Sequence, residues 1–228
     1  MHMDTIFYLI RHSIRLKKND IESINSSQSD LINSEKIVLS IEGEKRAEIL
    51  SNILELQNVD KIYSSNCVRT IQTAKYLMKR LDLKLNIDER FDERRVGIEN
   101  ADTVTDWLQR QYADIDYSTI NGESQRVVRN RFEAALLDII KKYKGKEIAV
   151  FSHGYAITFF LLKYFNFKMV RDDHFIQMTD DDGNLVLNKR INSPDVFKLV
   201  LDEHLNLVSF ENIDVDYGDI QYNYDEVQ

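Results

Sequence analysis

Thr5-Ile6-Phe7-Tyr8-Leu9-Ile10-Arg11-His12-Ser13 is the stretch around which the chain is organised. The run Thr5 to Ile10 lacks the gaps of a 3.6-residue period and is flanked by polar residues. That is the pattern of a strand buried on both faces, with helix the competing reading for so short a run. The run stops on Arg11-His12. Open α/β sheets bind ligands beyond the carboxyl ends of their strands, so a permanent cation and a titratable nucleophile stand where chemistry is done.

At 228 residues the chain is long enough to bury a substantial core, and 43% hydrophobic with 30% charged residues is an ordinary globular balance. Only 7 Gly and 1 Pro leave little material for a linker, so one domain over residues 1–228 is expected, with cap or lid segments at 15–38 and 98–122. No apolar run approaches the ~20 residues of a membrane span and no signal-peptide pattern opens the sequence, which points to a cytoplasmic protein with no membrane partner. The single cysteine, Cys67, rules out an internal disulfide and a thiolate zinc site, and suits a reducing compartment. A net charge of -8 argues against a nucleic-acid partner, but a local basic cleft can still draw in a small anion.

In chain order, the polar stretch Lys17 to Lys36 reads as a surface loop. Ser40 is a candidate N-cap for a helix over Ile41 to Leu56, with Ala47, Leu50, Ile53 and Leu54 as its apolar stripe. A strand at Asp60 to Tyr63, a helix over Cys67 to Leu81 and a strand at Leu85 to Ile87 follow. Asp88 to Gly122 reads as loops around one helix near Thr103 to Tyr112. Val128, Phe132, Ala135, Leu136, Ile139, Ile140 and Tyr143 give the strongest helical period, with lysines in its last turn and Gly145 behind it. Ile148 to Phe151 is the clearest buried strand, followed by a helix over Tyr155 to Phe165. Leu185 to Leu187, Val196 to Leu201 and Leu207 to Ile213 read as strands, Asp181 to Asn184 as a turn, and the acidic tail Asp214 to Gln228 as partly ordered.

Alternating strands and helices put the carboxyl ends of parallel strands on one edge. Arg11-His12, Arg69 and Ser152-His153-Gly154 all fall at such ends, and helices starting near Cys67 and Gly154 aim free N–H groups there. Two arginines, two histidines and two helix starts suit a doubly charged oxyanion, with phosphate the natural candidate.

The sequence resembles the histidine phosphatase superfamily, which includes cofactor-dependent phosphoglycerate mutases and many small phosphatases. The resemblance rests on Leu9-Ile10-Arg11-His12, on Ser64-Ser65 with Arg69-Thr70 and Thr73-Ala74, on Asn121-Gly122-Glu123-Ser124 and on Ser152-His153-Gly154. Leu39-Ser40, Gly43 and Ala47, then Glu93 and Gly97, fit between them. The resemblance implies a three-layer α/β/α sandwich with a mostly parallel central sheet. It implies hydrolysis of phosphate monoesters of small molecules, with no metal and no cofactor, through a phosphohistidine on His12. Arg11, Arg69 and His153, with Gly154 beside them, would hold the phosphoryl oxygens. Glu93 matches the general acid, with Asp92 and Glu123 as rivals. Ser13 replaces the usual glycine, and Arg15 stands three residues past His12 as in the acid phosphatase branch; both are candidate phosphate contacts.

Phosphoglycerate mutase-type transfer and a weakly active phospho-ligand binding module are the alternatives. His2, His174 and His204 read as surface residues and Cys67 as small packing. Trp107, Tyr112 and Tyr117 read as core or lid packing rather than substrate stacking. The oligomeric state is not legible.

Overall fold

A computed structural model describes residues 3–16, 35–97, 107–171 and 175–220. In chain order the elements are strand β1 (Thr5–Arg11), helix α1 (Ile41–Leu50), β2 (Lys61–Ser64), α2 (Val68–Leu81), β3 (Leu85–Ile87), α3 (Trp107–Ala113) and α4 (Gln125–Tyr143). They continue with β4 (Glu147–Ser152), α5 (Gly154–Leu161), β5 (Asn166–Val170), β6 (Phe175–Thr179), β7 (Leu185–Arg190), β8 (Val196–Leu201) and β9 (Leu207–Ile213). A six-stranded sheet runs β3-β2-β4-β1-β8-β9. Its β3-β2-β4-β1 half is parallel, and β8 joins β1 antiparallel.

The alternation of β1 sorts its side chains between two cores. Phe7 and Leu9 pack with Val128 and Phe132 of α4 and Ile157 of α5, while Tyr8 and Ile10 pack with Leu50 of α1 and Leu77 of α2. Ile148 and Val150 of β4 join the first group and Ala149 and Phe151 the second. Helices therefore cover both faces of a mostly parallel sheet, the expected three-layer arrangement, and the apolar runs of β1 and β4 reflect burial on both sides.

Several boundaries differ from the sequence expectation. The helix from Ile41 stops at Leu50, and Leu54–Leu56 is a separate 3₁₀ turn. Ser51 Oγ and Asn52 Nδ2 both donate to the Glu48 carbonyl, competing with the backbone ladder where the helix gives way. The helix expected to reach Phe165 ends at Leu161 and continues as turns. β5 and β6 were not expected. They are short and carry register shifts, and β6 pairs with β5 on one side and β7 on the other in a separate three-stranded antiparallel sheet. In the tail, Tyr217 is buried beneath Arg46, whose guanidinium carbon lies 4.6 Å from the ring centre.

Residues 17–34 and 98–106 of the expected cap segments, and 221–228 of the tail, lie outside the described residues, as do His2 and His174. The two ends of the first segment meet: Leu16 N–H donates to Val38 O and Ser40 N–H to Ile14 O, each at 2.9 Å. No helix among the described residues is long and apolar enough to cross a membrane.

Candidate active site

Because β2, β4 and β1 are neighbours, their carboxyl ends bring three distant segments together. Arg11 is 5% exposed, His12 7%, Arg69 4% and His153 0%. The two imidazole rings lie 5.3 Å apart in an edge-on arrangement.

The first turn fixes His12. Its Nδ1 is 2.7 Å from the Ser13 carbonyl. A carbonyl only accepts, so Nδ1 carries the proton and Nε2 keeps its lone pair. Burial pushes the His12 pKa well below 6.5, and the charges of Arg69, His153 and Arg11 push the same way, so the ring is neutral at neutral pH. The turn itself is held from α1 and α2: Ser13 Oγ donates to Gly43 O at 2.7 Å, and Ser13 N–H donates to Thr73 Oγ1 at 2.9 Å. The Ser13 hydroxyl is thus committed to the fold.

His153 is fixed by Arg69. Nη2 of Arg69 lies 3.0 Å from His153 Nδ1, and because guanidinium can only donate, Nδ1 accepts and Nε2 carries the proton. That proton faces Ser65 Oγ at 2.9 Å, and Ser65 in turn touches Thr70 Oγ1 at 2.8 Å. Burial lowers the His153 pKa well below 6.5, helped by Arg69, Arg131, Arg11 and Arg15.

Arg11 is oriented from its far side. Its Nη1 donates to the carbonyls of Ile191 (2.6 Å) and Asn192 (3.3 Å), whereas Nε is buried with no hydrogen-bond partner among the described residues. That Nε lies against the start of α5, where a Cβ on Gly154 would sit 3.3 Å from it, so glycine leaves the guanidinium room there.

The three carboxyl candidates occupy different settings. Glu93 caps α5: Oε1 accepts from Ala156 N–H at 2.9 Å and Oε2 from Tyr155 N–H at 3.3 Å, immediately beyond His153-Gly154. Asp92 accepts the Asn66 N–H at 3.0 Å, and burial raises its pKa to about 6. Glu123 is bound to the Arg131 guanidinium at 3.1 Å and to the Arg95 N–H at 2.8 Å, so it braces the segment that carries the other two.

Arg15 forms an isolated antiparallel bridge with Leu39. Cys67 is buried at the N-cap of α2, and burial raises its thiol pKa to about 11, consistent with packing. His204 is exposed. Tyr112 packs against Phe159 and Phe167, and its hydroxyl meets Thr158 Oγ1 at 2.6 Å.

Sequence reasoning missed Arg94. It is 3% exposed, its guanidinium lies 4.4 Å from the Tyr155 ring centre and 4.9 Å from that of Trp107, and its Nε and Nη1 have no hydrogen-bond partner among the described residues. The one signal available was its position next to Glu93. Tyr155, the ring under Arg94, also lines a small cleft with Tyr112, Gly154, Thr158, Ile176 and Ile191.

Comparison with known proteins gives a consistent picture. The family model described as the histidine phosphatase superfamily (branch 1) matches residues 7–183. A probable phosphoglycerate mutase GpmB of Yersinia enterocolitica is 23% identical over 158 residues, 66% of this chain and 70% of that protein. Among solved structures, Bacillus stearothermophilus YhfR superposes with a TM-score of 0.64 at 19% identity, covering 95% of this chain and 100% of its own. A mycobacterial glucosyl-3-phosphoglycerate phosphatase gives a TM-score of 0.62 at 17% identity over 93% and 98% of the two chains. The fold is phosphoglycerate mutase-like.

Proposed function

The chain belongs to the histidine phosphatase superfamily, branch 1, and we propose that within it the protein is a phosphomonoesterase that works without a metal, through a phosphohistidine on His12. One observation carries this reading: the Ser13 carbonyl holds the Nδ1 proton of His12, leaving a neutral ring with its Nε2 lone pair available among Arg11, Arg69 and His153. In the first step that lone pair attacks phosphorus in line, the P–N bond forms, and the bond from phosphorus to the ester oxygen breaks. A carboxyl group donates its proton to the departing oxygen. In the second step water attacks phosphorus, the same carboxylate takes the water's proton, and the P–N bond breaks to release inorganic phosphate and neutral His12.

Arg11 through Nε, Arg69, and the Gly154 N–H that opens α5 stabilise the charge on the phosphoryl oxygens. A phosphate dianion competes with His153 Nδ1 for Arg69, and its charge makes the His153 ring easier to protonate, so His153 becomes a further donor. Glu93 is assigned the acid role because its carboxylate lies on the backbone directly beyond His153-Gly154. Asp92 is the second reading, favoured by its raised pKa of about 6. The buried Arg94 between two aromatic rings favours an ester whose alcohol part carries an acidic group. The relative's name, probable phosphoglycerate mutase, keeps transfer back to a bound product as an alternative outcome.

The test is hydrolysis of p-nitrophenyl phosphate and of a panel of phosphorylated acids, including 3-phosphoglycerate and phosphoserine, with and without EDTA. Phosphate release that ignores the chelator and vanishes in His12→Ala is expected. Chelator-sensitive turnover, or full activity of His12→Ala, overturns the reading, and interconversion of phosphoglycerates in place of phosphate release selects the mutase. Glu93→Gln should slow esters with poor leaving groups more than p-nitrophenyl phosphate. If Asp92→Asn instead removes a loss of activity above about pH 6, the acid is Asp92.

A further inference from the structure

The family match ends at residue 183, yet several of the groups that hold Arg11 and His12 come from beyond it. Ser193 Oγ donates to the His12 carbonyl at 2.7 Å, with Ser193 itself buried. The carbonyls of Ile191 and Asn192 take the Arg11 Nη1, and the Asp195 carbonyl takes the Arg11 N–H at 3.0 Å. Every one of these contacts comes from the five-residue turn Ile191–Asp195 between β7 and β8.

That turn is itself held from two directions. Within it, Asp195 Oδ2 accepts the Asn192 N–H at 2.8 Å, and Asn212 of β9 donates to Asp195 Oδ1 at 2.8 Å. From α1, Arg46 reaches it: Nη1 donates to Asn192 Oδ1 at 2.8 Å and to Ser193 O at 3.2 Å. The same guanidinium donates through Nε to Ile220 O at 2.8 Å and lies over the ring of Tyr217, whose hydroxyl meets Pro194 O at 3.3 Å. A fork of five donors is needed to hold acceptors from three places at once, and lysine could not do it.

We infer that Ser193 is a positioning residue for the phosphoryl-transfer turn, and that Arg46 locks the Ile191–Asp195 segment in the register that aims Arg11 and His12. Neither side chain touches the phosphoryl group. Ser193 anchors the carbonyl at the pivot of the His12 backbone, and the two carbonyls before it occupy one edge of Arg11 so that Nε turns toward the start of α5. The consequence rests on the proposed phosphatase chemistry: in-line attack tolerates little angular error, and a displacement of about 1 Å in a reacting group can cost as much as a hundredfold in rate.

The experiment pairs Ser193→Ala, which removes one hydroxyl, with Arg46→Lys, which keeps the charge and loses the fork. Two readouts are taken: kcat and KM on p-nitrophenyl phosphate, and the imidazole ¹⁵N resonances of His12. The expected result is a fall in kcat of roughly tenfold to a hundredfold with a smaller change in KM, together with a displaced His12 resonance in both variants. Variants with wild-type kcat overturn the inference, as do variants whose His12 resonances stay in place, even when their melting temperatures fall, because a merely structural brace would affect only stability. If the wild-type protein proves inactive, the phosphatase reading fails on its own, and the His12 resonances alone decide whether Ser193 and Arg46 set the position of that ring.

Discussion

Replacing Arg69 with methionine tests the two roles the geometry gives it. The guanidinium lies 3.0 Å from His153 Nδ1, and its charge is the largest influence after burial that lowers the pKa of both His12 and His153. Methionine keeps an apolar stem of similar length in a buried place while removing both the donor fork and the charge. By analogy with the loss of one oxyanion-hole donor, transition-state stabilisation should drop by about 2.7–4 kcal/mol, roughly a hundred- to a thousandfold in kcat/KM. The second effect has a definite sign. Without the nearby cation the His12 ring protonates more readily, so the acid limb of the kcat/KM profile, which reports the free enzyme, moves to higher pH. Burial persists, so the limb stays below pH 6.5. Arg69→Lys separates the roles: its point charge should keep the acid limb low while most of the rate stays lost, because lysine cannot donate in a fork. The assay is p-nitrophenyl phosphate turnover from pH 4.5 to 8 on all three proteins. A methionine variant within tenfold of wild type, or one whose acid limb does not move, would refute the reasoning.

Stability should follow the same histidines: their folded pKa values lie well below the unfolded value near 6.5, so between the two the unfolded chain binds more protons. Their contribution is fully present above pH 6.5 and is lost as pH falls below it; the urea midpoint should drop between pH 7.5 and 5.5, and drop less in His153→Gln. Gly43→Ala should damage the site from a distance, because a Cβ there would sit 2.0 Å from the Ile14 carbonyl, directly behind the turn that Ser13 anchors on Gly43. The expected outcome is a loss of both melting temperature and kcat, and an alanine variant with normal values for both would show that the turn yields freely.

The parts of the molecule that were legible in the sequence share a physical cause. β1 and β4 are covered on both faces, so their interiors, Ile6 to Ile10 and Ile148 to Phe151, are apolar without a break, and α4 carries a regular stripe because its inner face meets one continuous core. The candidate site residues Arg11, His12 and His153 were legible because they stand where those strands end. β5 and β6 were not, since short bulged strands in a separate antiparallel sheet leave no steady period of two. The roles of Arg46 and Ser193 were equally hidden. Arg46 meets Asn192 across 146 positions of sequence and Ser193 meets His12 across 181, and a lone arginine or serine carries no local sign of such a partner. For Glu93 the sequence supplied the position but not the setting, because a cap on α5 depends on how the segment after β3 lies across the sheet edge.

The place of β1 between β4 and β8 has a consequence for synthesis. β1, which leads into His12, leaves the ribosome before its neighbours in the sheet, strands that begin at Glu147 and Val196. Until those have emerged, the first strand has no partner on either edge and its apolar run is exposed. Closing such distant pairings is also the slow part of folding for a chain of this topology. The nascent chain therefore carries His12 long before His153 and the Ile191–Asp195 turn can be placed around it, and the candidate site is assembled only when β4 and β8 seat β1.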